Sequence, residues 1–488
     1  MIKYIFLIII ILGEITMAQD IEFANRIFFS YPSYQEITLT QRRFKHSDIV
    51  PLIDNLNNKG IFTVNKAGKS AAGRDIYLIK IGSGQTKIFL WSQMHGDEST
   101  ATMAIFDIFN FFSANDSLNE IREKILSNTT IYFMPMVNPD GAEVFQRRNL
   151  FDIDINRDAI LQQTPEAAVL KNTFDEINAE FGFNLHDQSI LYSAGHNFKP
   201  ATLSLLAPAM NFEKSIDGVR AKSIKLIGTL YNTMSNFIPG HIAKYPDDFE
   251  PRAFGDNFQK WGTSTILIES GGWDSDPEKQ FVRKLNFVAL LSSFYSIAEK
   301  TYVNEPFETY NKIPFNEKDM MDLIIRNLKY KKNGFEYSID IGITRSEENT
   351  NNANAYYYKS IIEDMGDLSV YFGYEDFDFE GMEIIPGKTY PQELTSPGEI
   401  EKMDFINLYN QGFTNIILNS KDINTKFCAF PINIIKNKSH VDTEDIKVGL
   451  TPNFIIKKND VVKFVVVNGF IIDITNNSGK IKNGLIID

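Results

Sequence analysis

Between residues 75 and 302, five short apolar runs alternate with longer segments of helical period, and this alternation restricts the fold more than any other feature of the chain. The runs are DIYLIKIG (75–82), KIFLWSQM (87–94), TIYFMPMV (130–137), FGFNLH (181–186) and TSTILIES (263–270). Their length and their β-branched or aromatic content predict strands. TATMAIFDIFNFF with SLNEIREKIL, TPEAAVLKNTFDEINAEF, VRAKSIKLIGTLYNTMSNF and EKQFVRKLNFVALLSSFYSIAEKTY predict the helices. Strands joined through helices need crossover connections, so the expected fold class is α/β: a mixed, mostly parallel sheet flanked by helices.

Ligands of such sheets bind beyond the carboxyl ends of the strands. His95, Asn138 to Gly141, His186 and Glu269 fall at those ends. A hydrolytic zinc site takes three protein ligands and keeps one position open. His95 and Glu98, three residues apart, supply two ligands from one loop, and His186 supplies the third. Glu269, ending an apolar strand, suits a general base, because partial burial raises a carboxyl's pKa toward neutrality. Arg147, Arg148 and Arg157 in FQRRNLFDIDINRDA are fixed cations suited to an oxyanion or a carboxylate. His46, His196, His241 and His440 lack a strand-end setting, with His196 and His241 kept as spare ligands.

At 488 residues the chain exceeds one ordinary core, and its 43% hydrophobic and 23% charged residues are globular values. With 49 Lys plus Arg against 62 Asp plus Glu, the net charge of −13 argues against a nucleic-acid partner, which is bound through clustered cations. Lys3, the apolar run from Tyr4 to Leu12, and small residues up to Ala18 predict a signal peptide over residues 1–18 and export to the periplasm or beyond. A start at Met17 is the alternative. The lone Cys428 forms no internal disulfide and reads as core. The catalytic domain is expected over 19–305. Residues 306–488 then read as a β-rich accessory region with Asn-Asp and Asn-Gly turns and a polar loop at 345–355. That region could serve a partner, an envelope or glycan contact, or merely cover an apolar face.

His95-x-x-Glu98, NPDG at 138–141, the Arg-x-Asn then Asp-x-Asn-Arg series from Arg147 to Arg157, His186 and Glu269 occur in an order that resembles the zinc metallocarboxypeptidases. GKSAAGRDI at 68–76 is similar to the turn preceding that family's zinc motif, and the resemblance spans about residues 40–300. It implies one Zn2+ per chain on His95, Glu98 and His186, with Glu269 as base and Arg147 polarising the scissile carbonyl. Arg148 takes the latter role if the register shifts by one residue. Asn156 and Arg157 are implied to hold the terminal carboxylate of a peptide substrate, and Asp154 to orient His95. The sequence departs from the digestive members at Asp158, where they have Asn. It also lacks a secure match for their substrate-capping tyrosine, Tyr245 being the first choice and Tyr192 the second. The side-chain pocket does not align. Asp247, Asp248 and Asp256 favour a basic side chain if they line it, or form a solvated loop. Besides a carboxypeptidase, an amidase of cell-wall peptides or acylated amino acids and a zinc-containing binding protein without catalysis are the competing readings.

Overall fold

The apolar runs become the inner strands of an eight-stranded sheet. The computed structural model describes residues 18–350, 352–420, 426–436, 445–476 and 483–487. The expected signal peptide therefore lies, up to residue 17, outside the described residues, as does His440. The chain divides into two compact units between Lys318 and Asp319. In the first unit the strands are β1 (Thr63–Lys69), β2 (Asp75–Gly82), β3 (Thr86–Ser92), β4 (Thr129–Met134), β5 (Phe181–Asp187), β6 (Ser193–Ala194), β7 (Leu203–Leu206), β8 (Ile242–Lys244), β9 (Ser264–Ser270) and β10 (Asn316–Glu317). The large sheet runs β1-β2-β4-β3-β5-β9-β7-β8, and β6 pairs separately with β10. Its centre, β4-β3-β5-β9, is parallel, whereas β1, β2 and the β7–β9 pairing are antiparallel, so the sheet is mixed as expected.

Helices supply the crossovers. After a helix over residues 18–30 (α1) come α2 (His46–Leu56), α3 (Thr100–Ser113), α4 (Asn119–Asn128), α5 (Pro139–Val144), α6 (Pro165–Ile177), α7 (Gly218–Met234), α8 (Phe254–Lys260), α9 (Gln280–Glu299) and α10 (Phe307–Lys312). Thr164 caps α6 by accepting the Ala167 N–H, and Asp217 caps α7 by accepting from Val219 and Arg220, as short polar side chains do at helix starts.

Strand alternation sorts the core into two faces. Ile88 and Leu90 of β3 join Phe183, Leu185, Ile266 and Ile268 in the core under α3, α7 and α9. Phe89 and Trp91 point the other way, into a smaller core with α6 and with Phe254 and Phe258 of α8. Trp91 meets Phe258 edge-on at 4.6 Å between centroids, a contact contributing about 0.5–1.5 kcal/mol beyond area burial. The same period of two places Asn184 and His186 of β5, and Leu267 and Glu269 of β9, on the face away from the larger core. His186 and Glu269 are moreover direct neighbours in the β5–β9 register.

The first unit extends past the expected boundary at 305. Asn232 Nδ2 donates to Glu305 Oε1 at 3.1 Å, Ala207 N–H to the Tyr310 hydroxyl at 3.3 Å, and Gly195 N–H to Phe315 O at 2.7 Å. These bonds fasten residues 305–317 to α7, β7 and β6, and no linker composition marks the true junction.

In the second unit, β11 (Met320–Lys332), β12 (Phe335–Asn349), β13 (Tyr356–Gly366), β14 (Phe372–Asp378), β15 (Glu383–Pro386), β19 (Asn453–Lys458), β20 (Val461–Val467) and β21 (Phe470–Asp473) build one sheet. β16 (Lys388–Leu394), β17 (Phe413–Leu418), β18 (Asn433–Ile435) and β22 (Ile486–Ile487) form a parallel one. The region is β-rich as expected, and both anticipated turns occur, with left-handed φ at Asn459, Asp460, Asn468 and Gly469. The expected loop at 345–355 is corrected: β12 continues to Asn349 and pairs with β13 from Tyr356. Its polar composition reflects a hairpin end open to solvent. Cys428 is buried, and burial pushes its thiol up to about 11, in keeping with a core position.

Candidate active site

The loop that follows β3 is shaped by close backbone approach. Gln93 takes a left-handed φ of 50°, and its side chain donates to Gly96 O at 2.9 Å. A Cβ on Gly96 would lie 2.1 Å from the carbonyl carbon of Gly141, so only glycine lets this loop meet the NPDG turn. Asn138 of that turn accepts from Gly141 N–H at 2.9 Å and donates to Arg147 O at 3.3 Å. Asp140 accepts from Ser70 Oγ, Ala72 N–H and Arg74 Nη1 at 2.8, 2.8 and 2.7 Å. The GKSAAGRDI and NPDG motifs, far apart in sequence, are thus one hydrogen-bonded support that fixes His95 and presents Arg147.

His95, Glu98 and His186, all buried, converge so that one ligand atom from each lies within 4.8 Å of the others. Glu98 Oε1 is 2.7 Å from His95 Nδ1, and Glu98 Oε2 is 2.7 Å from His186 Nδ1. The two Nδ1 atoms face each other at 3.2 Å. Two imidazoles and one carboxylate brought this close together are a donor set suited to zinc. His95 Nε2 rests 3.1 Å from Asp154 Oδ1, the outer carboxylate contact that orients metal-ligating imidazoles. Burial opposes charge on His95, yet Glu98 and Asp154 raise its pKa to about 9. Burial holds the His186 imidazole below its ordinary value.

Arg147 stands beside this cluster, its Nη1 3.1 Å from His95 Nδ1 and 3.2 Å from Glu98 Oε1, its Nε 3.1 Å from Asp154 Oδ2. Glu269 is 9% exposed, and burial, followed by repulsion from Glu98, pushes its carboxyl well above the ordinary value. A cavity of about 520 Å³ connects these groups and is lined also by Asn156, Arg157, Tyr192 and Tyr245. Burial, then the nearby Glu269, pushes the Tyr245 phenol up to about 12. Both candidate tyrosines therefore reach the cavity. Asp248 and Asp256 line it as well, burial pushing the Asp256 carboxyl up to about 7. Asp247 instead pairs with Lys214 and Arg220 at 2.9 Å each.

Arg148 is not among the residues lining the cavity: its guanidinium turns to the Asp152 carbonyl at 2.9 Å and is half-exposed. His46 bonds to Asp75 O, His241 to Pro200 O, and His196 is exposed near Glu317, so none of the three joins the cluster.

Three features were not anticipated. Asn184 lines the cavity with an Oδ1 that has no hydrogen-bond partner among the described residues; its signal was a polar residue two places before His186, on the same strand face. Lys279 and Asp187 form a buried pair at 3.2 Å, with Thr100 donating to Asp187 at 2.5 Å, and no local pattern announces it. Glu250 also lines the cavity, 3.3 Å from Arg157.

Comparison with known proteins agrees with this assembly. A sequence model described as zinc carboxypeptidase matches residues 49–198. Carboxypeptidase SOL1 of Arabidopsis thaliana is 29% identical over 97 residues, 19% of this chain and 20% of that protein. Human carboxypeptidase D is 23% identical over 265 residues, 49% of this chain and 19% of that protein. This chain thus spans about a fifth of the length of these curated relatives. A metallo-carboxypeptidase structure from Burkholderia cenocepacia is similar with a TM-score of 0.44 and 13% identity, over 53% of this chain and 70% of that one. The family's sequence match falls on the residues that build the His95, Glu98 and Arg147 support, so over residues 49–198 this chain is similar to the zinc carboxypeptidases.

Proposed function

We propose that the chain is a zinc-dependent metallocarboxypeptidase, hydrolysing the C-terminal peptide bond of peptides. The observation that carries this reading is one cavity holding the His95, Glu98 and His186 donors, Arg147, a buried Glu269 and the Asn156 and Arg157 pair. One Zn2+ per chain on the three donors would acidify a water and polarise a carbonyl. Glu269, its carboxyl raised by burial, takes a proton from the attacking water and returns it to the leaving amine. Arg147 offers N–H groups where the carbonyl oxygen gains charge. Arg157 binds the terminal carboxylate and Asn156, whose Oδ1 is fixed by the Phe254 N–H at 2.9 Å, keeps its amide nitrogen for the same group. Tyr245, or Tyr192, covers the bound residue. The charged and apolar zones before Gln19 support export.

The test is a mixed peptide pool with free and amidated C-termini, incubated with zinc-loaded protein with and without chelator and read by mass spectrometry. Loss of single residues from free-acid peptides only, blocked by chelator, is expected. Cleavage confined to cell-wall peptides or acylated amino acids would replace this reading with the amidase one.

A further inference from the structure

Arg157, assigned above to the substrate's terminal carboxylate, already holds a carboxylate of its own chain. Its Nε lies 3.3 Å from Glu250 Oε2. Arg252 grips the same group from the other side, with Nε 3.0 Å from Oε1 and Nη2 3.1 Å from Oε2. The placement of Glu250 is built into the fold. Its backbone N–H donates to Asp256 Oδ1 at 3.2 Å, Ala159 N–H donates to Arg252 O at 3.1 Å, and Phe254 N–H donates to Asn156 Oδ1 at 2.9 Å. The loop bearing Glu250 is therefore fastened to the stretch bearing Asn156 and Arg157.

We propose that Glu250 is a specificity-determining residue that competes with the substrate carboxylate for Arg157 and so restricts the subsite to one negative charge. The inference rests on the reading of Arg157 given under the proposed function. Two guanidinium groups and one carboxylate leave a single net positive charge, enough for one terminal carboxylate. When that carboxylate takes the Arg157 donors, Glu250 keeps both its bonds to Arg252, so the exchange breaks one part-exposed contact and leaves no buried charge unpaired. A second negative charge, on an Asp or Glu side chain at the substrate's end, would meet Glu250, Asp248 and Asp256 along the same wall. C-terminal residues with neutral or basic side chains are accepted and acidic ones are refused.

The test compares full-length, zinc-loaded wild type, Glu250→Gln, Glu250→Asp and Arg252→Gln on matched N-acetylated peptides ending in free-acid Ala, Lys or Glu. Glu250→Gln lowers KM for the Ala peptide roughly two- to fivefold, the scale of a part-exposed ion pair, and lowers it further for the Glu peptide, with KM moving more than kcat. The gap narrows as salt is raised, and Glu250→Asp stays nearer to wild type. If Glu250→Gln fails to fold, Arg252→Gln reads the same competition in reverse, since Glu250 freed from Arg252 settles on Arg157 and raises KM. An unchanged or higher KM in Glu250→Gln, or an equal gain for all three peptides, overturns the proposal while leaving the carboxypeptidase reading intact. If wild type cleaves none of the peptides, that broader reading is what has failed. Calorimetric titration of wild type and Glu250→Gln with the Ala peptide as acid and as amide still isolates Glu250: tighter acid binding by the variant supports the competition, and equal binding ends it.

Discussion

Two Arg–Asp pairs in the first unit use the same chemistry to opposite ends. Arg283 and Asp107 are fully buried and closed: Arg283 donates to both Asp107 oxygens, to Leu39 O, to Glu36 O and to Gln280, while Asp107 also accepts from Tyr31 and from the Glu36 N–H. The pair staples residues 31–39 onto α3 and α9, and nothing in it is left to bind a ligand. Arg147 and Asp154 are open instead. Arg147 is 43% exposed on its side chain, Asp154 shares its oxygens with His95, and Arg147 lines a cavity where Asn184 and His186 keep buried atoms that have no hydrogen-bond partner among the described residues. A buried network with every group satisfied specifies structure, whereas one that falls short of partners around a cavity is poised for chemistry.

The sharpest test of the open network is Glu269→Gln. Removing the base while keeping its shape should cost about 10²–10⁴ in kcat with zinc content and melting temperature close to wild type. Zinc analysis, thermal unfolding and peptide turnover measured on one preparation check this, and near-normal kcat would remove Glu269 from the base role.

The closed network should respond in the other currency. Arg283→Met strands Asp107 as a buried charge and should destabilise the first unit by about 3–5 kcal/mol in urea unfolding, with peptide turnover by the protein that remains folded largely kept. Adding Asp107→Leu should recover part of that loss, because replacing both charges by apolar groups removes the stranded one. If Arg283→Met abolished turnover of the folded fraction without changing stability, the contrast between the pairs would be broken.

Arg147→Gln belongs to the open side: kcat should fall by about 10²–10³, as when an oxyanion donor is removed, with stability barely altered. Asp154→Asn comes next. The amide keeps the shape but loses the charge that orients His95, and zinc affinity should drop about 10–100-fold in competition with a chelator. Unchanged affinity would mean that the 3.1 Å contact to His95 Nε2 does not tune the ligand.

Much of this was legible in the chain because the informative residues sit where periodicity is strong. DIYLIKIG coincides with β2, and His186 and Glu269 close apolar strands whose alternation fixes their face. β1, TVNKAGK, is a polar edge strand without alternation, and β7 and β8 are short, so local pattern could not mark them. The junction at Lys318 and the β12 extension depend on long-range bonds and hairpin pairing rather than composition. Glu250 was invisible for another reason: in a charged loop, only three-dimensional placement distinguishes a carboxylate facing Arg157 from one facing water.

The smallest expected effect bears on the adjacent arginines, which sequence register alone left interchangeable. Arg147 is held toward the donor cluster because its carbonyl is tied to Asn138 and Gly96, while the side chain of Arg148 is turned back onto the Asp152 carbonyl. A half-exposed arginine with one such bond contributes little, so Arg148→Gln should change kcat/KM by less than about twofold and stability by less than about 0.5 kcal/mol. Measured beside Arg147→Gln on the same free-acid peptide, the pair reads the register directly. A large loss confined to Arg147→Gln places the open network where the distances put it, and a large loss in Arg148→Gln would show that the loop after α5 turns by one residue when substrate is bound.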